Sequence, residues 1–318
     1  MITRTLITLL VLAFVANIQA KERLPNFIII FCDDLGYNDV GAYGSKLHRT
    51  PNIDRMAKEG RTFSDFYVTS GVCSPSRASL LTGSYPKRVG LHENEKGGWV
   101  LFPGNKKGIH SDEITIAEIL KDQGYATAII GKWHLGDQPE FFPLQHGFDY
   151  YYGIPYSNDM GLMRGNGEPH GMSRDRPGER RYPPLPLMRN NDIIEVEPDQ
   201  RLITQRYTSE VIKWIRKHKD EPFFLYFPQT MPHAPQFSSE NFAGISANGK
   251  WGDTVEEIDW SVGEVFKELK AQGIDDDTLV VFLSDNGGAM NFGASNAPLK
   301  GGKGTTDEGG QRVPFIAR

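Results

Sequence analysis

Residues 26–34 read NFIIIFCDD, an apolar run that ends on a cysteine and two adjacent acids. A run this short, β-branched and aromatic, with no polar alternation, has the signature of a strand buried on both faces. The acids that follow then stand at its carboxyl end. Three further runs have the same form: YATAII (125–130), PFFLYF (222–227) and TLVVFL (278–283). Between them the period changes. Residues 112–123 carry Ile114, Ala117, Ile119 and Leu120 at helical spacing, and Val255, Ile258, Val262, Val265, Phe266 and Leu269 form one helix face that stops at Gly273. Strands alternating with helices predict an α/β fold, a mostly parallel sheet flanked by helices on both faces. The stretch 161–200, which includes GNGEPHGMSRDRPGERRYPPLPL, shows no period and is expected to be a long surface insertion near the substrate mouth.

With 318 residues, 39% of them hydrophobic, the chain can bury the core of one large α/β domain. A net charge of −5 provides no basic field, which argues against nucleic acid and anionic membranes as partners. Residues 1–20, MITRTLITLLVLAFVANIQA, combine an early Arg4, an apolar run and a terminal Ala20. That layout predicts a signal peptide cleaved after Ala20, leaving 21–318 as an exported, periplasmic or secreted chain. No later segment is apolar enough to span a membrane. Cys32 and Cys73 are the two cysteines, too few for a disulfide scaffold, although one bridge between them stays open at this point.

Ligands of open parallel sheets bind beyond the carboxyl ends of the strands. Each predicted strand leads there into a polar cluster: Asp33 and Asp34; Lys132 and His134; His233; Asp285 and Asn286. The oxygen donors Asp33, Asp34, Asp285 and Asn286 would repel one another unless a cation neutralised them, and an all-oxygen set suits Ca²⁺ or Mg²⁺. One divalent cation is expected, with Ca²⁺ favoured over Mg²⁺. Lys132, His134, His233 and Lys303, the last in the glycine-rich LKGGKGTTDEGG, would surround a compact anion such as sulfate or phosphate beside that cation.

Residues 73–83, CSPSRASLLTG, match every defined position of C-x-P-S-R-x-x-x-L-T-G, and the chain thereby resembles the type I sulfatases. CDDLGYND, GKWHLG, GIPYSND, PHAPQF, LSDNGG and GKGTTDEGG follow in the order expected of arylsulfatases. The resemblance covers the chain after the signal peptide. It implies an alkaline-phosphatase-like fold and a sulfuric ester hydrolase acting on an aryl or carbohydrate sulfate. It also implies that a maturation enzyme oxidises Cys73 to Cα-formylglycine (3-oxoalanine), which excludes a Cys32–Cys73 bridge. By the same likeness, a hydroxyl of the hydrated aldehyde attacks sulfur, His233 protonates the departing alcohol, and His134 takes a proton from the second hydroxyl as sulfate leaves. Arg77 orients the diol, Lys132, Lys303 and Ser157 hold the sulfate, and residue 73 joins the metal ligands. Locally, Ser74 is expected to cap and Pro75 to start a helix whose free N–H groups favour an anion.

Members of this family continue past GGQRVPFIAR into a small domain built on an antiparallel sheet. That domain is expected to be missing here, with poor solubility as the consequence. Two other readings compete: a formylglycine-dependent phosphodiesterase or phosphonate hydrolase, and a non-catalytic anion- or glycan-binding protein.

Overall fold

The computed structural model describes residues 24–162 and 182–318. The expected signal peptide lies outside these residues, as do positions 163–181 of the expected insertion. The predicted strands form as β1 (Asn26–Cys32), β3 (Ala126–Ile130), β7 (Phe223–Pro228) and β8 (Thr278–Ser284). They are joined by β2 (Arg61–Thr62), β4 (Tyr150–Gly153), β5 (Pro186–Arg189), β6 (Asp192–Val196) and β9 (Phe315–Ala317) in one sheet of order β2-β9-β8-β1-β7-β3-β4-β5-β6. The centre, from β8 through β1, β7 and β3 to β4, is parallel, and antiparallel pairs close both sides. The sheet is therefore mixed and mostly parallel, as expected.

Helices α1 (Pro51–Glu59), α2 (Cys73–Thr82), α3 (Ile116–Asp122), α4 (Ile203–His218) and α5 (Gly249–Ala271) cover it. Successive strand residues serve opposite faces. Ile28, Ile30, Leu225, Phe227, Val280 and Phe282 share a core with Ile53, Val211 and Val262 of α1, α4 and α5. Phe31, Ile129, Phe224, Tyr226 and Leu283 share the other with Ala78, Leu81 and Ala117 of α2 and α3. Truncating a fully buried leucine such as Leu81 to alanine would cost about 2–5 kcal/mol.

Two expectations need correction. The helix predicted over 112–123 begins only at Ile116, because Thr115 closes a capping box: its Oγ1 accepts from Glu118 N at 3.2 Å while Glu118 Oε2 accepts from Thr115 N at 2.7 Å. The box is worth about 1 kcal/mol and fixes the helix phase. Ile114 and Ile119 therefore face solvent, and Ile116, Ala117 and Leu120 face the core.

The segment 161–200 is not wholly an irregular insertion either. β5 pairs antiparallel with β4, and β6 with β5, so this part extends the sheet. Glu197 Oε1 holds the base of that hairpin by accepting from Leu162 N and Leu185 N, both at 2.7 Å. β6 lies largely in solvent at the sheet edge, so it carries no apolar alternation for a sequence pattern to reveal.

Candidate active site

The carboxyl ends of β1, β3, β7 and β8 deliver Asp33 and Asp34, Lys132 and His134, His233, and Asp285 and Asn286 into one buried cluster. α2 adds Cys73 and Arg77, and the glycine-rich loop adds Lys303. Asp34 (φ 69°) and His134 (φ 63°) hold left-handed backbone at their strand ends. Non-glycine residues adopt this conformation at a cost of about 1–3 kcal/mol, and it recurs where a side chain must be aimed. Gly131 has a stricter reason for its identity. At φ 136°, a Cβ there would sit 1.8 Å from Pro228 O, so only glycine lets the chain leave β3 close against β7 and turn Lys132 inward.

Three carboxylates face three cations. Arg77 donates to Asp285 Oδ2 at 2.7 Å and lies 3.6 Å from Asp33 Oδ1. Lys132 Nζ pairs with Asp33 Oδ2, and Lys303 Nζ donates to Asp34 Oδ2 at 2.7 Å. Burial opposes ionisation of Asp33, but Lys132 and behind it His233, Arg77 and Lys303 hold its carboxyl well below the usual range. Burial and the charge on Asp33 push Asp285 up to about 7, against the pull of Arg77. Arg77 also lies 5.4 Å from the Phe31 ring centroid, which packs its guanidinium against the sheet.

The two histidines differ in surroundings. His134 Nε2 donates to Leu101 O at 2.9 Å, the tautomer a carbonyl partner requires, and the buried Nδ1 has no partner. Burial, then Lys132 and Arg77, keep it neutral well below its ordinary range. His233 Nε2 lies 3.7 Å from Asp34 Oδ2, and its Nδ1 is within 3.1 Å of Asn158 Oδ1 and 2.6 Å of Ala234 O. Burial and Lys303 lower its pKa too. Ser157 Oγ bridges the groups, 3.3 Å from Lys132 Nζ and 3.4 Å from His233 Nε2.

Cys73 and Cys32 are both buried free thiols. Cys73 Sγ donates to Asp33 Oδ1 at 3.4 Å, and burial followed by the Asp33 charge pushes its thiol well above the usual value. The expected helix start needs correction: Val72 is the N-cap residue, with no side-chain cap, and Cys73 itself is the first helical residue. Ser74 is diverted by a tertiary partner, its Oγ accepting from Leu101 N at 3.2 Å. Leu101 thus joins the neighbour of Cys73 to His134, a link that no local pattern announces. Asn158 is a further partner of His233, and its place in GIPYSND beside Ser157 is the local sign of it.

Asp33, Asp34, Cys73 and His233 place ligand atoms within 4.8 Å of one another. Asp285 and Asn286 adjoin them, with Asp285 Oδ1 accepting from Asp34 N at 3.1 Å and Asn286 Nδ2 donating to Asp34 Oδ1 at 2.8 Å. Asn286 Oδ1 is buried and has no partner. A buried amide oxygen left bare beside three carboxylates is costly unless a cation uses it, so this donor set fits a hard divalent ion.

A protein-family model described as Sulfatase matches residues 25–318. Arylsulfatase A of Bos taurus is 40% identical over 316 residues, covering 97% of this chain and 61% of the relative. Steryl-sulfatase of Homo sapiens is 36% identical, covering 95% of this chain and 63% of the relative. The crystal structure of Ps i-CgsB in complex with k-i-k-neocarrahexaose aligns with a TM-score of 0.79 at 36% identity, over 93% of this chain and 66% of that one. The chain thus spans about three fifths of the length of the curated relatives it matches, 61% in the first case. With the signature cysteine at the head of α2 and an acid-rich cluster at the carboxyl ends of a parallel sheet, the chain belongs to the sulfatase family.

Proposed function

We propose that this chain hydrolyses sulfate esters, with Cys73 converted to formylglycine as the source of the attacking oxygen. The observation that supports this most directly is the meeting of Lys132, Lys303, Ser157 and His233 beside Cys73, at the N-terminus of a ten-residue helix. A tetrahedral anion there would meet two ammonium groups, a hydroxyl and free backbone N–H groups. Left as cysteine, residue 73 is a poor nucleophile, since burial and Asp33 keep the thiol protonated.

Asp33, Asp34, residue 73, Asp285 and Asn286 would hold one divalent cation, Ca²⁺ by preference, which when bound supplies charge neutralisation and a lowered hydroxyl pKa. Arg77 steadies the carboxylates, and Lys132 and Lys303 turn to the sulfate oxygens. His134 is suited to accept a proton at Nδ1, since Nε2–H is committed to Leu101 O. His233 is neutral until an anion arrives. Negative charge near its Nε2 raises its proton affinity, readying it to protonate the departing alcohol. Asn158 and Ala234 O fix its ring.

The alcohol is an aryl or carbohydrate group, a reading to which the oligosaccharide in the Ps i-CgsB complex lends support. Residues 1–20 are proposed as the export signal and 21–318 as the catalytic domain. Among the described residues no helix is long and apolar enough to cross a membrane.

The test is mass spectrometry of the Cys73 peptide from protein made with a formylglycine-generating enzyme, alongside turnover of an aryl sulfate and the matching aryl phosphate diester. Aldehyde formation with preference for the sulfate is expected. An unmodified thiol, or preference for the phosphodiester, would overturn the reading.

A further inference from the structure

Lys303 is flanked by Gly302 and Gly304, and an indole ring lies over the second of them. A Cβ on Gly304 would lie 3.2 Å from Trp99 Cζ3, whereas one on Gly302 would meet Gly288 O at 2.6 Å and Asn296 Nδ2 at 2.8 Å before Met290 Cε at 3.4 Å. Trp99 is 66% exposed and Met290 53% exposed. A cavity of about 200 Å³ opens on the Gly302 side of Lys303, lined by Met290, Phe292, Lys303 and Thr305 among others. An exposed tryptophan forgoes hydrophobic stabilisation, so an indole lying over the glycine next to Lys303 calls for an occupant.

The turn that carries Trp99 is braced by hydrogen bonds. Asn94 is buried and closes the turn beneath it, with Oδ1 accepting from Lys96 N and Gly98 N at 2.9 Å and Nδ2 donating to Val100 O at 2.7 Å. Two residues beyond Trp99, the Leu101 backbone is bonded to Ser74 Oγ on one side and His134 Nε2 on the other. A ring on this loop is tied at one end to the neighbour of Cys73 and lies against the loop carrying Lys303. Gly304, at φ 79°, adds no side chain between them.

We propose that Trp99 is the platform on which the ring of the esterified alcohol stacks, and that the alcohol is therefore a flat-faced ring, aromatic or pyranose. The inference rests on the sulfate-ester reading for what Lys303 binds. Lys303 would hold the sulfate while its neighbour across Gly304 receives the ring. Specificity for the ring would thus come from an apolar face placed beside the anion site.

The test uses the full chain with four probes: p-nitrophenyl sulfate, galactose 6-sulfate, methyl sulfate and inorganic sulfate. Binding is read by calorimetry on protein in which Cys73 is left as cysteine, and KM and kcat on converted protein. Trp99→Ala is expected to lower the affinity for at least one ring ester, relative to inorganic and methyl sulfate, about tenfold, the size of one stacking contact. Trp99→Phe should recover most of that ratio. A loss confined to p-nitrophenyl sulfate assigns an aromatic alcohol, and one confined to galactose 6-sulfate assigns a sugar. Equal losses for ring and ringless probes, an unchanged ratio, or no binding of either ring ester by the parent chain would overturn the proposal. If the binding ratio shifts as expected but no ester is turned over, Trp99 stands and the hydrolase reading falls.

Discussion

Lys303 Nζ donates to Asp34 Oδ2 at 2.7 Å, joining two residues 269 positions apart. The ammonium occupies a carboxylate oxygen that a divalent cation would also use, and in the proposed reading it also binds the sulfate. Lys303→Met is therefore expected to act in opposite directions on the two ligands. Ca²⁺ binding should tighten severalfold as a competing cation is removed, whereas inorganic sulfate should bind about tenfold more weakly. Titration calorimetry with each ion alone reads both, and parallel changes would contradict the assignment.

Arg77 is fully buried and spans Asp285 and Asp33. Removing one partner of a buried ion pair strands the other charge, so Arg77→Met should destabilise the fold by about 3–5 kcal/mol. Adding Asp285→Asn should recover part of that loss. Urea unfolding of the two variants measures it, and simple additivity would mean that the residues act separately.

Asn286 Oδ1 is buried without a partner, next to Asp34. A bound Ca²⁺ at 100 times its Kd should stabilise the fold by about 2.7 kcal/mol and raise Tm, and a chelator should reverse this. Asn286→Leu should shrink the Ca²⁺-dependent part of the Tm shift while removing the bare oxygen. An unaltered shift in that variant would place the cation elsewhere.

His146 is buried against Trp133, with ring centroids 6.1 Å apart, away from the charged cluster. Burial, opposed by Glu118, holds its pKa below the ordinary 6.5. Below that pH the unfolded chain takes up a proton that the folded chain resists, so the unfolded state binds more protons and stability falls as pH falls. His146→Phe should make the fall in unfolding free energy below pH 6.5 shallower. Denaturant titrations at pH 7.5 and pH 5.5 test it, and an equal or steeper fall in the variant would show that His146 is not a source.

What the sequence by itself determined was local. The four central strands were legible because burial on both faces leaves short unbroken apolar runs, and the chemistry after each run was legible because a parallel sheet gathers its carboxyl ends along one edge. The long helix over Val255 and Leu269 was readable from its period. The helix start at Ile116 was also local, written in the T-x-x-E of Thr115 and Glu118. Tertiary structure decided the pairings. Leu101 drew Ser74 away from capping, and Glu197 joined a hairpin to the sheet edge. It also paired Arg77 with Asp285 across 208 positions and set Trp99 against the glycine beside Lys303. A hydrogen bond or ring contact between residues far apart leaves no period in either segment. Its partner is set only when the sheet closes and buried polar groups must find one another.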